Sequence, residues 1–264
     1  MKQQTSLNHP TATTRQGFTI IEVMLVLAIT GLMLIGVLGG TYSAIATQRY
    51  QDSVRSFSEF LRQLYSEVIS PESLGEGNSN QYAIYGKVAV FGLDQGNNVD
   101  HNIYTATLIG DVKIPSSSPG NNFINELSQV NAKLFCGDTT RDQESTRSVY
   151  TPLWDAKILY PNKQQMRGTL IIARSPTSGT VHTAFTSKTF DVKDSCEPDR
   201  QGASTALQTA LHNEPAEFST LADIDFCLRS ENSNIIRDVR LRADGRNTSA
   251  VNILDADSGE SKCR

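Results

Sequence analysis

Few side chains in this 264-residue chain are spaced for chemistry. His9, His101, His182 and His212 are scattered, and none falls in the HExxH or HxH spacing that brings two imidazoles onto one metal. Gly75-Glu76-Gly77 lacks the rest of a phosphate loop, and no GxSxG nucleophile turn occurs. Neither an enzyme nor a bound cofactor is expected, and no small-molecule substrate. In "DADSGE", Asp255, Asp257 and Glu260 surround a glycine as the first ligands of a calcium loop would. A solvated turn explains them as well, and no metal is expected. Arg229, Arg237, Arg240, Arg242 and Arg246 crowd into 18 residues, opposed by Glu231, Asp238 and Asp244. Strand alternation would put Arg240 and Arg242 on one face, a strip suited to phosphate or DNA contact. A charged solvent face or a subunit contact is the competing reading.

Cys136, Cys196, Cys227 and Cys263 are far apart, with no CxxC pair and no Cys/His grouping of the zinc kind. An even number of cysteines on an exported chain favours two disulfides, for which three pairings exist. Cys227 with Cys263 and Cys136 with Cys196 is the expected set, since it closes two loops that do not cross in sequence.

The oddest charge is Glu22, inside "RQGFTIIEVMLVLAITGLMLIGVLGG" (15–40). From Val23 to Gln48 no residue is charged, and these 26 positions make about 39 Å of helix at ~1.5 Å per residue, enough for a hydrocarbon core of about 30 Å. Upstream, Lys2 and Arg15 are the only charges, a positive flank that stays in the cytoplasm and sends the rest outward. A secretory signal cut after Ala44-Ile45-Ala46 would have a shorter apolar region. A plain anchor would leave Glu22 unexplained.

The elements that carry these residues follow from periodicity. Tyr50, Val54, Phe57, Leu61, Leu64 and Val68 recur at spacings of 4, 3, 4, 3 and 4, opposite Asp52, Arg55, Glu59, Arg62 and Glu67. That is an amphipathic helix for packing on a sheet, and Pro71, Gly75 and Gly77 stop it. A coiled-coil seam is the alternative, short for that purpose. Strands are expected at 82–93, 102–110, 155–160, 168–175, 180–192, 223–230, 234–244 and 249–256, from their β-branched and aromatic content. The last two flank Gly245 as a hairpin. Short helices are expected near 122–131 and 203–212.

Gly17 stands where the polar leader meets the apolar run, and "GFTIIEVMLVLAITGLMLIG" resembles the class III signal of type IV pilins and type II secretion pseudopilins. The resemblance implies cleavage by a prepilin peptidase between Gly17 and Phe18, and N-methylation of Phe18. It also implies a role for Glu22 as partner to the Phe18 ammonium, its own or a neighbouring subunit's, because a charge among apolar helices needs one. Gly31, Gly36, Gly39 and Gly40 allow close helix approach in lipid, at roughly 1 kcal/mol of helix propensity each relative to Ala. The helix-breaking proline of many pilins is absent at Gly39-Gly40. The closing hairpin also resembles that of minor pilins and pseudopilins of the FimT and GspH kind, some of which bind DNA through GRxR. Here Gly245 and Arg246 match, and Thr248 stands in place of the second arginine.

The expected architecture is therefore α+β and pilin-like: a long N-terminal helix, transmembrane half plus amphipathic half, packed on an antiparallel β-sheet head. The segments are a leader at 1–17, an assembly helix at 18–48 and a head at 49–264. The expected function is that of a filament subunit, a minor pilin by its size, with a pseudopilin or a DNA-uptake minor pilin as alternatives. Its partners would be other pilin subunits and the peptidase. It would sit in the cytoplasmic membrane as a single-pass protein, head outside, and afterwards in a pilus or at the cell surface.

Overall fold

In the computed structural model, residues 17–70, 82–95, 98–112, 123–135, 148–190, 192, 202–220, 222–230, 235–243, 245–255 and 258–263 are described. The expected helix stop at Pro71, Gly75 and Gly77, the leader upstream of Gly17, and Cys136, Cys196 and Asp257 lie outside them. Contacts divide the chain into two units, Met1–Thr47 and Gln48–Arg264.

Helix α1 (Ile20–Ile69) is 50 residues long. Within the second unit it buries the whole expected stripe, from Tyr50 to Val68, together with Tyr65. Among the described residues twelve strands follow, all paired antiparallel: β1 (Tyr82–Phe91), β2 (Asp94–Gln95), β3 (Asn98–Val99), β4 (Ile103–Asp111), β5 (Lys133–Phe135), β6 (Ser148–Tyr150), β7 (Lys157–Leu159), β8 (Gly168–Arg174), β9 (Val181–Thr186), β10 (Ile224–Arg229), β11 (Ile236–Leu241) and β12 (Val251–Asp255). The first sheet runs β5-β4-β1-β8-β9, with β6 sharing β4's outer edge beside β5. The second runs β12-β11-β10-β7, and β2 and β3 form a small ribbon.

One face of both sheets meets α1. Ala89, Phe91, Leu170 and Ile172 of the first sheet join Phe226, Leu228, Val239 and Leu241 of the second in one core with the helix stripe. Polar handles fix the register along the helix: the Tyr50 hydroxyl donates to the Leu228 carbonyl at 2.8 Å, and the Tyr65 hydroxyl meets Thr183 Oγ1 at 2.6 Å. Phe57 lies at the middle of the stripe, edge-on to Phe226 at 5.3 Å and near Phe60 and Tyr150.

The other face of the first sheet is covered too. Val88, Val90, Ala106, Leu108 and Ile171 pack under α2 (Phe123–Gln129) and α3 (Gly202–Asn213), which contribute Ile124, Leu127, Leu207 and Leu211. Burial on both sides explains the near-continuous apolar runs of β4 and β8, which do not alternate as a one-sided strand does. The helix-on-sheet expectation holds, with a second helical layer added. At the β1 bulge between Ile84 and Gly86, a Cβ on Gly86 would sit 2.1 Å from the Ile172 carbonyl oxygen. Only glycine lets β8 approach so closely there.

The α+β layout is as expected: a long N-terminal helix followed by an antiparallel β domain. Strand β9 ends at Thr186, short of the expected 192. Phe57→Ala removes the ring that ties helix to both sheets, and is expected to cost about 3–5 kcal/mol, read as a fall in the urea midpoint of the detergent-solubilised chain.

Candidate functional site

The N-terminal segment is built around the start of α1. Thr19 precedes the first helical residue, and its Oγ1 accepts from the backbone N–H of Glu22 at 3.3 Å, while its carbonyl accepts from Val23 N–H at 3.1 Å. Thr19-Ile-Ile-Glu22 thus has the order of a capping box, with Thr19 at the N-cap and Glu22 three residues on. The signal was present in the sequence as T-x-x-E, and the reading of Glu22 purely as an ammonium partner passed over it. A carboxylate in the first turn also faces the positive end of the helix dipole, worth about 0.3–1 kcal/mol. Gly17 and Phe18 lie just before this cap and are exposed, Phe18 to 79%.

Beyond Glu22 the helix exposes large apolar side chains among the described residues: Met24, Leu27, Leu32, Ile35 and Leu38 all stand in the open. The described helix is long and apolar enough to cross a membrane. Two of its hydroxyls are satisfied within it. Thr30 Oγ1 donates to the carbonyls of Val26 and Leu27, and Thr41 Oγ1 to those of Val37 and Leu38, all within 3.1 Å. Such back-bonding removes the cost of carrying them into hydrocarbon. A Cβ at Gly31, Gly36, Gly39 or Gly40 would touch nothing within 4 Å, so these positions are open on the helix surface.

The arginines of the closing hairpin do not form the open strip expected of them. Arg240 turns into the outer face of the second sheet. Its Nε donates to Asp225 Oδ1 at 2.6 Å, and Nη2 donates to the Glu260 carbonyl at 2.7 Å and lies 3.8 Å from Asp238 Oδ2. That correction has a local cause: β10 puts Asp225 opposite Arg240 in register, and both carboxylates there are almost wholly buried. Arg242, past the end of β11, and Arg246 are exposed. Arg237 pairs with Asp255 across β11 and β12. Asp255 is therefore committed to an arginine and Glu260 gives its carbonyl to another. Among the described residues no metal-type cluster forms.

The C-terminal segment closes over the same face. Cys227 of β10 is bonded to Cys263, the expected pair, with Cα atoms 5.4 Å apart and a separation of 36 positions in sequence. Lys262 Nζ reaches Asp225 Oδ2 at 3.0 Å, and Lys262 N–H donates to Asp238 Oδ2 at 3.2 Å. Asp238 Oδ1 is buried without a hydrogen-bond partner. Burial, reinforced by the Asp225 charge, raises the Asp238 carboxyl above its ordinary 3.8. The Lys262 N–H, the Ser261 hydroxyl and Arg240 oppose that rise without cancelling it.

Residues 13–38 match the prokaryotic N-terminal methylation motif, the signature of type IV pilins. No curated protein and no solved structure matches the chain significantly.

Two outcomes follow for the head. Cys263→Ser frees the C-terminal segment and is expected to cost about 2–4 kcal/mol, seen as a urea midpoint below that of the natural chain under oxidising conditions. The folded chain holds a proton on Asp238 at pH values where the unfolded chain has released it, so this group makes stability fall as pH rises from 3.8 through the raised folded value. Unfolding midpoints across that range should decline more steeply in the natural chain than in Asp238→Asn.

Proposed function

We propose that this chain is a type IV pilin-like subunit, a minor pilin, made as a precursor and cut by a prepilin peptidase between Gly17 and Phe18. The observation that carries the reading is the methylation motif at residues 13–38 leading directly into a capped helix whose large apolar side chains are exposed among the described residues. The helix waits in the cytoplasmic membrane with the head outside, then moves sideways into a filament of like helices, which covers the same apolar surface.

Cleavage creates an ammonium on Phe18, one residue before the Thr19 cap. In a bundle of apolar helices that charge needs a carboxylate, and Glu22 is the only charged side chain from Phe18 to Gln48. The Glu22 backbone N–H holds the cap, which leaves the side chain to answer the ammonium of a neighbouring subunit. The pair then acts as a register device: an incoming helix that is out of step leaves two charges unpaired in a dry interface, at several kcal/mol.

Glu22→Gln tests this directly. The variant keeps the cap, so the precursor should still enter the membrane and be cut, while its recovery in sheared filaments falls at least tenfold relative to the natural chain. Undiminished incorporation of Glu22→Gln would contradict the register role. The pseudopilin reading shares the signal and the helix, and deletion of the gene separates the two: loss of surface filaments marks a pilus subunit, loss of protein secretion a pseudopilin.

A further inference from the structure

The chain has one tryptophan, Trp154, and it is exposed. It sits with Leu153 in the link between β6 and β7, where both large apolar side chains stand roughly half in the open, 44% for Leu153 and 53% for Trp154. The backbone that presents them is strained. Trp154 (φ 56°, ψ 38°) and Asp155 (φ 54°) both occupy the left-handed region, at about 1–2 kcal/mol per residue without glycine. Their neighbours hold them there. Pro152 and Ala156 on either side are buried, and the Leu153 carbonyl accepts from Ser53 Oγ at 2.9 Å and from Ala156 N–H at 3.3 Å. Neighbours buried at both ends and a knuckle turned outward are the reverse of what hydrophobic burial would arrange for a lone soluble head.

The knuckle is also tied to a particular place on α1. The Arg49 guanidinium lies over the Trp154 ring, 4.6 Å from its centre. Arg49 is the first charge after the 26 uncharged residues Val23–Gln48. Those residues make about 39 Å of helix, against a bilayer of about 30 Å of hydrocarbon and 40–45 Å with its headgroups. Arg49 therefore falls in the outer headgroup layer, and whatever is held against it lies at that depth. Tryptophan is the side chain best suited there, with an apolar ring for the acyl boundary and an N–H for water and phosphate. Arginine adds a planar donor for lipid phosphate. The Asp155 carboxylate limits the depth, keeping the knuckle among headgroups and out of the hydrocarbon centre.

We propose that Leu153 and Trp154, with Arg49, form a lipid-contact site that seats the head on the outer headgroup layer of the membrane holding its own helix. The site rests on the reading of α1 as a membrane span. Before assembly it would hold the head down on the bilayer, and on extraction into a filament it would be released.

Because Trp154 is the chain's single tryptophan, its fluorescence reports this site without substitution. The full chain is reconstituted into vesicles of phosphatidylethanolamine and phosphatidylglycerol, some carrying acyl chains brominated near the carbonyl end and others near the terminal methyl. The expected result is blue-shifted emission, quenched more by bromine near the carbonyl end than near the methyl, with little quenching by aqueous iodide. Leu153→Ser, which leaves the backbone contacts in place, should shift the emission to the red and reduce the lipid quenching. A chain that floats with the vesicles while Trp154 is quenched by iodide and not by bromine would overturn the site and leave the span intact. Emission that is blue-shifted but insensitive to bromine would mark a subunit contact and equally overturn it. A chain that does not float with the vesicles would overturn the span, and this site with it.

Discussion

One helix serves two environments, and the rest of the molecule is arranged around that requirement. From Val23 to Thr47, α1 carries no charge and exposes large apolar side chains that a soluble protein would hide, whereas from Tyr50 to Val68 its apolar residues narrow to a single stripe buried under two sheets. The division follows from residue types. A full apolar surface suits lipid or like helices, and a stripe suits a core. Phe57, Tyr50 and Tyr65 then decide how the head is hung on the helix, by packing at the centre and hydrogen bonds toward either end.

At the far side of the second sheet a different economy applies. Asp225, Asp238, Arg240 and Lys262 are drawn together beneath a C-terminal segment that one disulfide holds in place. Asp225 and Asp238 are buried there, so losing Arg240 leaves uncompensated charge even where the assembled set adds little net stability, whereas the exposed Lys262 side chain matters less. The arginine that looked available for phosphate is in this way consumed by structure, while Arg229, Arg242 and Arg246 of the same group are exposed.

Much of this was legible in the residues. Eight strands and two short helices fall where β-branched runs and turn residues place them, and every member of the Tyr50–Val68 stripe is buried, because periodicity reports directly on which face meets a core. The small strands β5 and β6 were not legible, since three residues carry no periodic signal and pair only because β4 offers an edge. The second helical layer was written in the unbroken apolar run Leu170–Ala173 of β8, which a one-sided sheet would not need. The inward turn of Arg240 was not, because alternation gives the face of a strand and says nothing of what covers it. Trp154 escaped notice for a related reason: a lone aromatic in a link has no pattern, and only its strained backbone and the guanidinium above it mark it out.

The step on which the rest hangs is the proposed cleavage between Gly17 and Phe18, whose new amino terminus would give Glu22 its partner. Mass spectrometry of the N-terminal peptide of the mature chain, taken from membranes of the native host, measures that step directly. It should begin at Phe18 and carry one added methyl group, and the same peptide should vanish when Gly17→Val blocks cleavage. A mature chain that keeps Met1, or one that begins at Thr47 after a cut behind Ala46, would contradict it.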